Sequence, residues 1–519
     1  MKSISADNVR AWLVEGEEFA FVDVREPGQY GEDHLLHPVN IPYSRLELDA
    51  PALIPRPDVP ICLVDDDGEL AARAAGRLEA LGYTDVRCID GGMKACVAAG
   101  FTALKGVNVP SKLLGELAEH TAHTPAIDAE ELKAMIDAGE DFVVLDGRSP
   151  QEFKKMSIPT ASSCPNAELP YRLPTLVPDP DKKIIVNCAG RTRSIIGVEN
   201  LRNAGFTNPI FALRNGTQGW RLNGFELDFG KEPAQMPELD DAAVAAAQER
   251  AAAMMSKFDL PTVDAETFSE WVLDKTRTLY LVDIRTAEEY AAGHLEGAVH
   301  VAGGQFVQQT DATVAVRGSR VVLCDDNKLR AATTAYWLKA MKHDVYILDV
   351  DASNPPKDLP AVKSAVPAFS GSLTETSADK LDGKTIVDLR SSGAYRDGHI
   401  DGAVWSIRPL LSSLGLKADS EVVLVAGNKG VAELAAIDLR ESGVTRLSYL
   451  PGGSDAWKAA GLTITATPDV PADDARIDFL FFVHDRHDGN LESSREYLRW
   501  EMGLVDQVQD WEMGLFALS

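Results

Sequence analysis

The sequence predicts an α/β protein made of four consecutive copies of one unit, each a doubly wound parallel sheet flanked by helices. Three observations predict this fold class. A β-rich run ending in Asp-x-Arg occurs four times, a short apolar run follows it in every copy, and alanine- and leucine-rich helical stretches come after the apolar runs. Alternation of strands and helices in units of roughly 100 residues is typical of parallel sheets with right-handed crossovers.

The length and the charge limit the classes of function. At 519 residues the chain exceeds what one hydrophobic core supports, so three to five domains are expected. A formal net charge of −28 repels phosphate backbones and anionic lipid, and we expect neither a nucleic acid nor a membrane as partner. No apolar run approaches the roughly 20 residues that span a bilayer, and the N-terminus lacks the apolar core of a signal peptide. We therefore expect a cytoplasmic protein.

The elements of the unit recur in the same order. Each copy begins with a helix start in which a Ser or Asp precedes acidic residues, which suits the helix N-terminus. These starts lie at Ser5, Asp128, Asp264 and, more loosely, Ser377. The Asp-x-Arg elements that set the register are Asp23-Val24-Arg25, Asp146-Gly147-Arg148, Asp283-Ile284-Arg285 and Asp388-Leu389-Arg390. We interpret the Asp and Arg as a structural pair at the strand end.

Two further features complete the unit. A histidine step follows the Asp-x-Arg element at His34, His294 and His399, whereas copy two has Ser157 there; a structural role is predicted for this position. A glycine-rich turn with a tryptophan closes copies two and four, at Trp220 and Trp457. Copy one has Cys96 at the tryptophan position, and copy three lacks the turn.

The predicted domains are residues 1–105, 124–230, 258–352 and 369–467, with a C-terminal helical segment at 474–519. The alanine-rich linker 238–257 is predicted to be a helix. In the C-terminal segment, apolar residues at 3/4 spacing predict one amphipathic helix. These residues are Tyr497, Trp500, Leu504, Val508, Trp511 and Leu515. We favour docking of this helix on its own chain over dimerisation, so the protein is expected to be a monomer or a homodimer.

One cysteine stands out from the other five. The six cysteines show no CxxC pair, so neither a disulfide framework nor a zinc site is predicted. Cys188, however, lies in the charged loop Cys188-Ala189-Gly190-Arg191-Thr192-Arg193-Ser194, directly after an apolar strand. The aligned residues of copies one, three and four are Asp65, Asp325 and Ala426. One copy in four therefore has a nucleophile.

The place of Cys188 in the unit predicts chemistry. The carboxyl end of a parallel strand is where doubly wound sheets bind ligands. Loop amides and the N-terminus of the following helix stabilise an anion there, which is expected to lower the thiol pKa. Arg191 and Arg193 add positive charge at the rim. Cys164 and Cys324 are interpreted as packing residues.

The whole chain resembles the rhodanese family of sulfurtransferases, through the Asp-x-Arg element, the histidine step, the cysteine loop and the glycine-tryptophan ending. The resemblance implies a double displacement, in which the Cys188 thiolate takes a sulfane sulfur from a small anionic donor such as thiosulfate. Cyanide or a thiol then removes it from the Cys188 persulfide. It implies an active-site loop of Ala189, Gly190, Thr192 and Ser194, with Arg191, Arg193 and, more weakly, Arg172 binding the donor. No cofactor and no metal are implied.

Other interpretations stay open. The protein could be a sulfur relay or persulfide carrier without turnover. A phosphatase or oxyanion reductase is disfavoured, because related enzymes carry an arginine six positions after the cysteine, where this chain has Ser194. The three copies without cysteine could be scaffold domains or binding modules for an acceptor protein. The linker 106–112 is a candidate cover for the site. His484 and His487, near Asp485 and Asp488, are interpreted as a solvated turn and not as a metal site.

Overall fold

The four predicted copies are present in the computed structural model, which describes residues 2–484 and 490–518. The chain divides into two compact units. One contains most of copy one, copy four and the residues up to Val483, and the other contains copies two and three together with the rest of the C-terminal segment. Each copy is an α/β unit with a parallel sheet and flanking helices, as the sequence predicts.

The strands of every copy follow one spatial order: third, second, fourth, fifth, first. In copy one they are Lys2–Ile4, Phe19–Asp23, Val39–Asn40, Ile61–Val64 and Val86–Ile89. In copy two they are Ala126–Ile127, Phe142–Asp146, Ala161–Ser163, Lys183–Asn187 and Ile210–Leu213. In copy three they are Thr262–Val263, Leu279–Asp283, Val299–His300, Arg320–Asp325 and Asp344–Asp351. In copy four the second to fifth are Thr385–Asp388, Val404–Trp405, Glu421–Val425 and Arg446–Tyr449, and a Glu375–Tyr449 bridge replaces the first.

The central strands are buried because helices cover both faces of each sheet. All residues of Phe19–Asp23, Ile61–Val64 and Leu279–Asp283 are buried. Continuous apolar runs are the pattern expected of parallel strands that are covered on both sides. Two short antiparallel pairs lie apart from the main sheets: His34–Leu35 with Ala103–Leu104, and His399–Ile400 with Ile464–Thr465.

The helices of the first two copies and their linkers alternate with these strands. Copy one contains Ala6–Glu15, Pro27–Glu32, Leu46–Leu53, Glu69–Leu81 and Gly92–Ala98. The helix Val109–Ala122 leads to copy two, which contains Ala129–Ala138, Pro150–Lys155, Glu168–Leu176, Thr192–Asn203 and Gly216–Leu222. The alanine-rich linker forms the helix Asp241–Phe258, so the helix predicted there is confirmed.

The second half of the chain contains more 3₁₀ segments between its helices and strands. Copy three contains Ala265–Leu273, Ala287–Ala292, Gly303–Gln308 and Leu329–Ala340, with the 3₁₀ turn Thr310–Ala312 and the short strand Val316–Arg317. Copy four contains Ser392–Asp397, Lys429–Glu441 and Ser454–Ala459, with the 3₁₀ segments Ala378–Lys380 and Arg408–Leu414. A further 3₁₀ turn, Asp473–Ala475, and the helix Phe481–His484 follow. At the start of copy four the structure therefore has one 3₁₀ turn where the sequence predicts a helix.

The Asp-x-Arg elements hold the end of the second strand in every copy. Arg148 donates to both carboxylate oxygens of Asp146, from Nε at 2.8 Å and Nη2 at 2.7 Å, and to the carbonyl of Met156. The other three arginines bind the aspartate two residues before them and the carbonyl eight residues after them in the same way. The predicted structural pair is confirmed.

The histidine step is also structural. His34, His294 and His399 stack on the tyrosine four residues earlier, with ring centroids 3.7–3.9 Å apart. Each Nδ1 lies 2.8–3.0 Å from that tyrosine's carbonyl oxygen. Copy two lacks this stack, and the backbone of Ser157 instead exchanges hydrogen bonds with Asp228.

The prediction of one continuous C-terminal helix is wrong. The segment forms three helices, Leu491–Met502, Leu504–Gln507 and Asp510–Met513. The first ends at Gly503, a residue with poor helix propensity, and Val508 is extended. The breaks allow Tyr497, Leu504, Val508 and Leu515 all to be buried. The segment packs on its own chain, because its first and second helices contact the helix Val109–Ala122.

Two features are absent from the described residues 2–484 and 490–518. None of their helices is both long and apolar enough to cross a membrane. Among residues 2–484 and 490–518, no group of three or more His, Cys, Asp or Glu side chains is placed to hold a metal ion. Of the turn considered above, Asp485, His487 and Asp488 lie outside the described residues.

Candidate active site

The strand register places Cys188 and its three counterparts at one position of the unit. Neighbouring second and fourth strands pair Asp146 with Asn187 in copy two. The equivalent pairs are Asp23 with Val64, Asp283 with Cys324, and Asp388 with Val425. The next residue is Cys188 in copy two, and Asp65, Asp325 and Ala426 in the others, as the sequence alignment predicts. Cys324 belongs to the strand and not to the loop.

Cys188 lies where the winding of the sheet reverses. The chain passes from the second strand to a third on one side, and from the fourth strand to a fifth on the other. The carboxyl ends of the second and fourth strands meet at this point, which is the ligand-binding crevice of doubly wound sheets. The helix Thr192–Asn203 begins four residues after Cys188, so its positive N-terminal end is close to the thiol.

The loop that begins at Cys188 is fixed by hydrogen bonds to the glycine-rich turn before Trp220. The backbone amide of Thr217 donates to the Cys188 carbonyl at 2.9 Å, and that of Gln218 donates to the Ala189 carbonyl at 3.1 Å. The Thr217 hydroxyl reaches both carbonyls. Because these carbonyls are bound to the turn, they do not face the thiol and cannot repel negative charge on it.

Cys188 is almost fully enclosed, with 1% of its surface exposed. Its Sγ lies 3.6 Å from Ser194 Oγ, which donates in turn to the Arg191 carbonyl. Burial raises the pKa of the Cys188 thiol; the charge of Arg193 and hydrogen bonding with Ser194 oppose this rise, and Glu501 adds to it. The expectation of a lowered pKa is therefore wrong, because the loss of hydration outweighs the positive groups.

The other five cysteines are free and buried. Burial raises the pKa of Cys62 to about 12 and of Cys88 to about 11, and it also raises the pKa values of Cys164 and Cys324. Cys164 belongs to a cluster of apolar residues on one face of the copy-two sheet, and Cys324 to a similar cluster in copy three. Both are the packing residues that the sequence predicts.

Arg193 is buried beside Cys188 and paired with Glu152. Its two terminal nitrogens donate to the two carboxylate oxygens at 2.7 and 2.8 Å. Burial acts to raise the pKa of Glu152, but Arg193 and Ser149 outweigh it and lower that pKa to about 2. The geometry is bidentate, which fixes the orientation of the guanidinium. Arg193 thus brings a fixed positive charge to the thiol.

Arg191 connects the loop to the preceding linker helix. It donates to both carboxylate oxygens of Glu116 at 2.7 and 2.9 Å, and it also binds Glu119. Burial raises the pKa of Glu116 to about 7, against the lowering effect of Arg191. Most of the hydrogen-bonding capacity of this arginine is therefore used inside the protein.

Arg172 does not reach the thiol, which corrects the expectation from the sequence. It donates to Glu168, one helical turn earlier, to the carbonyl of Pro237, and to Glu289 of copy three. These partners hold the guanidinium in an ion-pair cluster between copies two and three. It is not among the residues that line the cavity at Cys188.

A cavity of about 60 Å³ opens on Cys188. Its walls are the loop 188–193, Gln218, the linker residues Val107, Asn108, Ser111 and Lys112, Gln308 of copy three, and Tyr497 and Glu501 of the C-terminal segment. The linker therefore covers the site, as predicted. Pockets for drug-sized ligands have volumes of roughly 300–1,000 Å³, so this cavity fits only a small ion or molecule.

Sequence reasoning missed several residues of this site. Glu116 and Glu152 are the partners of the two arginines, and Gln218 and Glu501 line the cavity. A signal existed for Glu152: Arg330 and Glu289 of copy three form the same pair at the equivalent positions. Copies one and four lack both members, with Gln29 and Leu70, and Ala394 and Val431, in their places. Glu501 had no sequence signal.

Comparison with known protein families supports the fourfold repeat of the chain. The family model for the rhodanese-like domain matches residues 5–99, 128–223, 264–352 and 373–460, which together make up more than half of the chain. The chain belongs to the rhodanese family. All four copies are rhodanese-like domains, and the exact boundaries given above remain predictions.

Two relatives are informative. A crystal structure of a thiosulfate sulfurtransferase from Pseudomonas aeruginosa is 38% identical and covers 98% of both chains, with a TM-score of 0.89. A curated protein named sulfurtransferase, from Allochromatium vinosum, is 28% identical over 101 residues, which are 20% of this chain and 92% of that protein. The first relative has the same four-domain architecture along its length, and the second matches one domain's worth of residues.

In the rhodanese-like domains that lack a cysteine at the position of Cys188, other side chains occupy or contact the loop. The Asp65 carboxylate accepts hydrogen bonds from the backbone amides of Gly68, Leu70 and Ala71 at 2.6–3.0 Å. Asp325 accepts from the amides of Asp326 and Ala331 and from Arg330. A carboxylate therefore occupies the anion-binding loop in copies one and three. In copy four, the side chain of Leu48 lies against Gly430 of the loop.

Gly216 offers a test of the loop's support. It has φ +50°, and a Cβ there would lie 2.2 Å from the Cys188 carbonyl oxygen. Gly216→Ala must therefore displace the loop, and a displacement of about 1 Å is expected to lower turnover on the order of 100-fold. The control is Gly224→Ala, which has φ +77° but no atom near its Cβ. Equal activities of the two variants would show that the contact with the Cys188 carbonyl does not matter for turnover.

Proposed function

We propose that this rhodanese transfers a sulfane sulfur from a small anionic donor such as thiosulfate to a thiol or cyanide, through a persulfide on Cys188. The observation that carries the proposal is the placement of the Cys188 thiol. It lies at the floor of a cavity of about 60 Å³, beside the fixed charge of Arg193 and the N-terminus of a helix. Both features favour negative charge on sulfur.

In the first half-reaction, the Cys188 thiolate attacks the outer sulfur of thiosulfate. The bond between the two sulfurs of the donor breaks, and sulfite leaves with the electron pair. Lys112, Arg191 and Arg193 all line the cavity and attract the dianionic donor. Arg191 and Arg193 keep their carboxylate partners, so their contribution is a positively charged wall and not a pair of free clamps.

The persulfide is stabilised by the loop. The carbonyls of Cys188 and Ala189 are bound to the glycine-rich turn. The backbone amide of Ser194 donates to the Arg191 carbonyl at 3.2 Å, and it lies near enough to the sulfur to act against the rise of the Cys188 pKa. Donors that are fixed before the reaction lower the energy of a developing anion without reorganisation. In the equivalent loop of copy one, the carboxylate of Asp65 uses three such amides, which supports the idea that the loop is built for an anion.

Phosphate chemistry has less support. The position six residues after Cys188 is Ser194, whose hydroxyl lies next to the thiol and donates to the Arg191 carbonyl. Arg193, one residue earlier, binds Glu152 with both terminal nitrogens. A clamp on a tetrahedral oxyanion would need a guanidinium free to make a bidentate contact with it.

A relay protein is the second candidate, and the enclosure of Cys188 favours it. With 1% of its surface exposed, the thiol is shielded by the linker helix and the C-terminal segment, as suits a carrier that protects a persulfide. In this case an acceptor protein would discharge the sulfur, and the three silent domains would serve as scaffold or docking modules. A cytoplasmic location is part of either proposal, because six free cysteines suit a reducing compartment.

Steady-state kinetics distinguish the two candidates. We expect repeated turnover of thiosulfate and cyanide to sulfite and thiocyanate, with the parallel-line pattern of a double displacement. Loading of Cys188 without turnover would favour the relay. Thiocyanate formation with intersecting lines, which indicates a ternary complex, would contradict the persulfide mechanism.

The rate of persulfide loading is expected to rise with pH. The thiolate is the nucleophile, and burial raises the pKa of Cys188 above the usual range of a cysteine. Below that pKa the thiolate fraction increases about tenfold per pH unit, so loading by thiosulfate should be about tenfold faster at pH 8 than at pH 7. Stopped-flow measurement of sulfite release tests this. A flat profile in that range would mean that the thiol is already ionised.

A further inference from the structure

A carboxylate from the C-terminal segment is directed into the cavity. Glu501, near the end of the helix Leu491–Met502, is 2% exposed. Its Oε1 accepts a hydrogen bond from the Thr192 hydroxyl at 2.8 Å. Its Oε2 is buried and has no hydrogen-bond partner among the described residues. A buried carboxylate oxygen without a donor is costly, so this atom marks a position where a ligand can donate.

Gln218 directs a second unsatisfied group to the same place. Its backbone amide holds the loop at Ala189, while its side chain is 8% exposed. Neither its amide oxygen nor its amide nitrogen has a partner within the described part of the chain. A Cβ at Gly190 would lie 3.3 Å from Glu501 Oε2 and 3.6 Å from Gln218 Nε2. The two side chains therefore converge on one side of the loop, and the glycine leaves room for them.

The charges near the thiol differ in how they are balanced. Arg191 and Arg193 are each held by carboxylates of their own. Within residues 2–484 and 490–518, Glu501 has only the neutral Thr192 hydroxyl as a hydrogen-bond partner. Its charge acts on Arg191 and adds to the rise of the Cys188 pKa. A carboxylate in this position is unfavourable for the anionic donor. It suits a cation that arrives with the second substrate, since a charge-assisted hydrogen bond would satisfy Oε2.

We propose that Glu501 and Gln218 form an acceptor subsite beside Cys188, which binds the protonated amino group of a small aminothiol and places its thiol at the sulfane sulfur. This inference rests on the proposed function and specifies the acceptor. The amino group donates to Glu501 Oε2 and to the Gln218 amide oxygen. The cavity of about 60 Å³ restricts the acceptor to a few heavy atoms.

The transfer step balances without a further reactant. The acceptor sulfur attacks the outer sulfur of the Cys188 persulfide anion and forms the new sulfur–sulfur bond. The bond between the outer sulfur and Cys188 Sγ breaks, with its electron pair going to Sγ. The proton of the acceptor thiol passes to Sγ, so the products are the Cys188 thiol and the persulfide anion of the acceptor. Cys188 is reduced from persulfide to thiol, and the acceptor thiol is oxidised to a persulfide.

The test is a single-turnover discharge with three acceptors. The full-length protein is loaded with thiosulfate, freed of donor, and mixed with 2-aminoethanethiol, 2-mercaptoethanol or mercaptoacetate; rates are compared per thiolate. The cationic acceptor is expected to react on the order of 10- to 100-fold faster than the neutral one, and mercaptoacetate slowest. Glu501→Gln should remove this preference, and Glu501→Asp should retain part of it. Glu492→Gln, on the same helix with a side chain 61% exposed, is the matched control and should change nothing.

Each outcome is informative. Equal rates for the three acceptors in the natural protein, or an unchanged preference in Glu501→Gln, would overturn the inference and leave Glu501 as an anchor of the C-terminal segment. If Glu501→Gln does not fold, Gln218→Met decides, because it keeps the side-chain volume and removes the amide; a preserved preference there would also overturn the inference. Failure of the proposed function is distinct, since Cys188 would then take up no sulfur before any acceptor is added.

Discussion

Replacement of Cys188 by serine is expected to abolish sulfur transfer from thiosulfate to cyanide. The hydroxyl of serine is not ionised in this buried site, and it cannot form a persulfide. No other copy can compensate, because the register places Asp65, Asp325 and Ala426 at the same position. Loss of a nucleophile typically lowers turnover by a factor on the order of 10⁴ to 10⁶. Thiocyanate formation under saturating donor and acceptor measures the effect.

Cys164→Ser is the control for this variant. Cys164 belongs to the same domain and is fully buried, but it is packed among apolar residues of the sheet, away from the cavity at Cys188. Cys164→Ser is expected to lower the stability of the protein slightly and to leave sulfur transfer nearly unchanged. Activity that survives in Cys188→Ser, or disappears in Cys164→Ser, would contradict the assignment of the nucleophile.

Removal of the Arg330 side chain is expected to cause a large loss of stability. Arg330 is 0% exposed and connects copies two and three through four carboxylates. It donates to Asp325 at 3.0 Å, Asp326 at 2.7 Å, Glu168 at 2.9 Å and Glu289 at 2.6 Å. In Arg330→Met, the buried Asp325 and Glu168 and the half-buried Asp326 and Glu289 lose their common partner. Breaking a buried ion pair in this way lowers the free energy of unfolding by about 3–5 kcal/mol.

Urea-induced unfolding measures this loss of stability, and the dependence of the loss on pH reports on the protonation of Asp325. Burial and the charge of Asp326 already raise the pKa of Asp325, and loss of Arg330 raises it further. The folded variant thus favours the protonated form of Asp325. The difference in the free energy of unfolding between the natural protein and the variant should therefore shrink as the pH falls from 8 to 6. Lys133→Met, which breaks an exposed pair with Asp137, should change stability by less than about 0.5 kcal/mol. A comparable effect of both variants would show that the cluster is not structural.

The repeat and its register could be predicted because they depend on local patterns. The Asp-x-Arg pairs, the buried strands and the loop after the fourth strand are contiguous in the sequence, and their physical reasons are local hydrogen bonds and burial. The place of Cys188 follows from these elements alone. The linker cover was predictable for the same reason, since Val107 and Lys112 immediately precede the domain they cover.

The surroundings of Cys188 could not be predicted to the same extent, because they come from distant parts of the chain. Glu501 is more than 300 residues away, and it contacts the loop from the helix Leu491–Met502 of the C-terminal segment. Arg172 is close to Cys188 in sequence, but its side chain binds Glu289 of another domain and does not reach the thiol. The pKa of Cys188 depends on how completely these segments exclude water, and the sequence does not specify that.

The most direct test of the account is the intact mass of the protein after incubation with thiosulfate, followed by mapping of the modified peptide. We expect a gain of one sulfur atom per chain, located on Cys188 and removed by cyanide or a thiol. No gain in mass, or a stable gain on one of the other five cysteines, would contradict it.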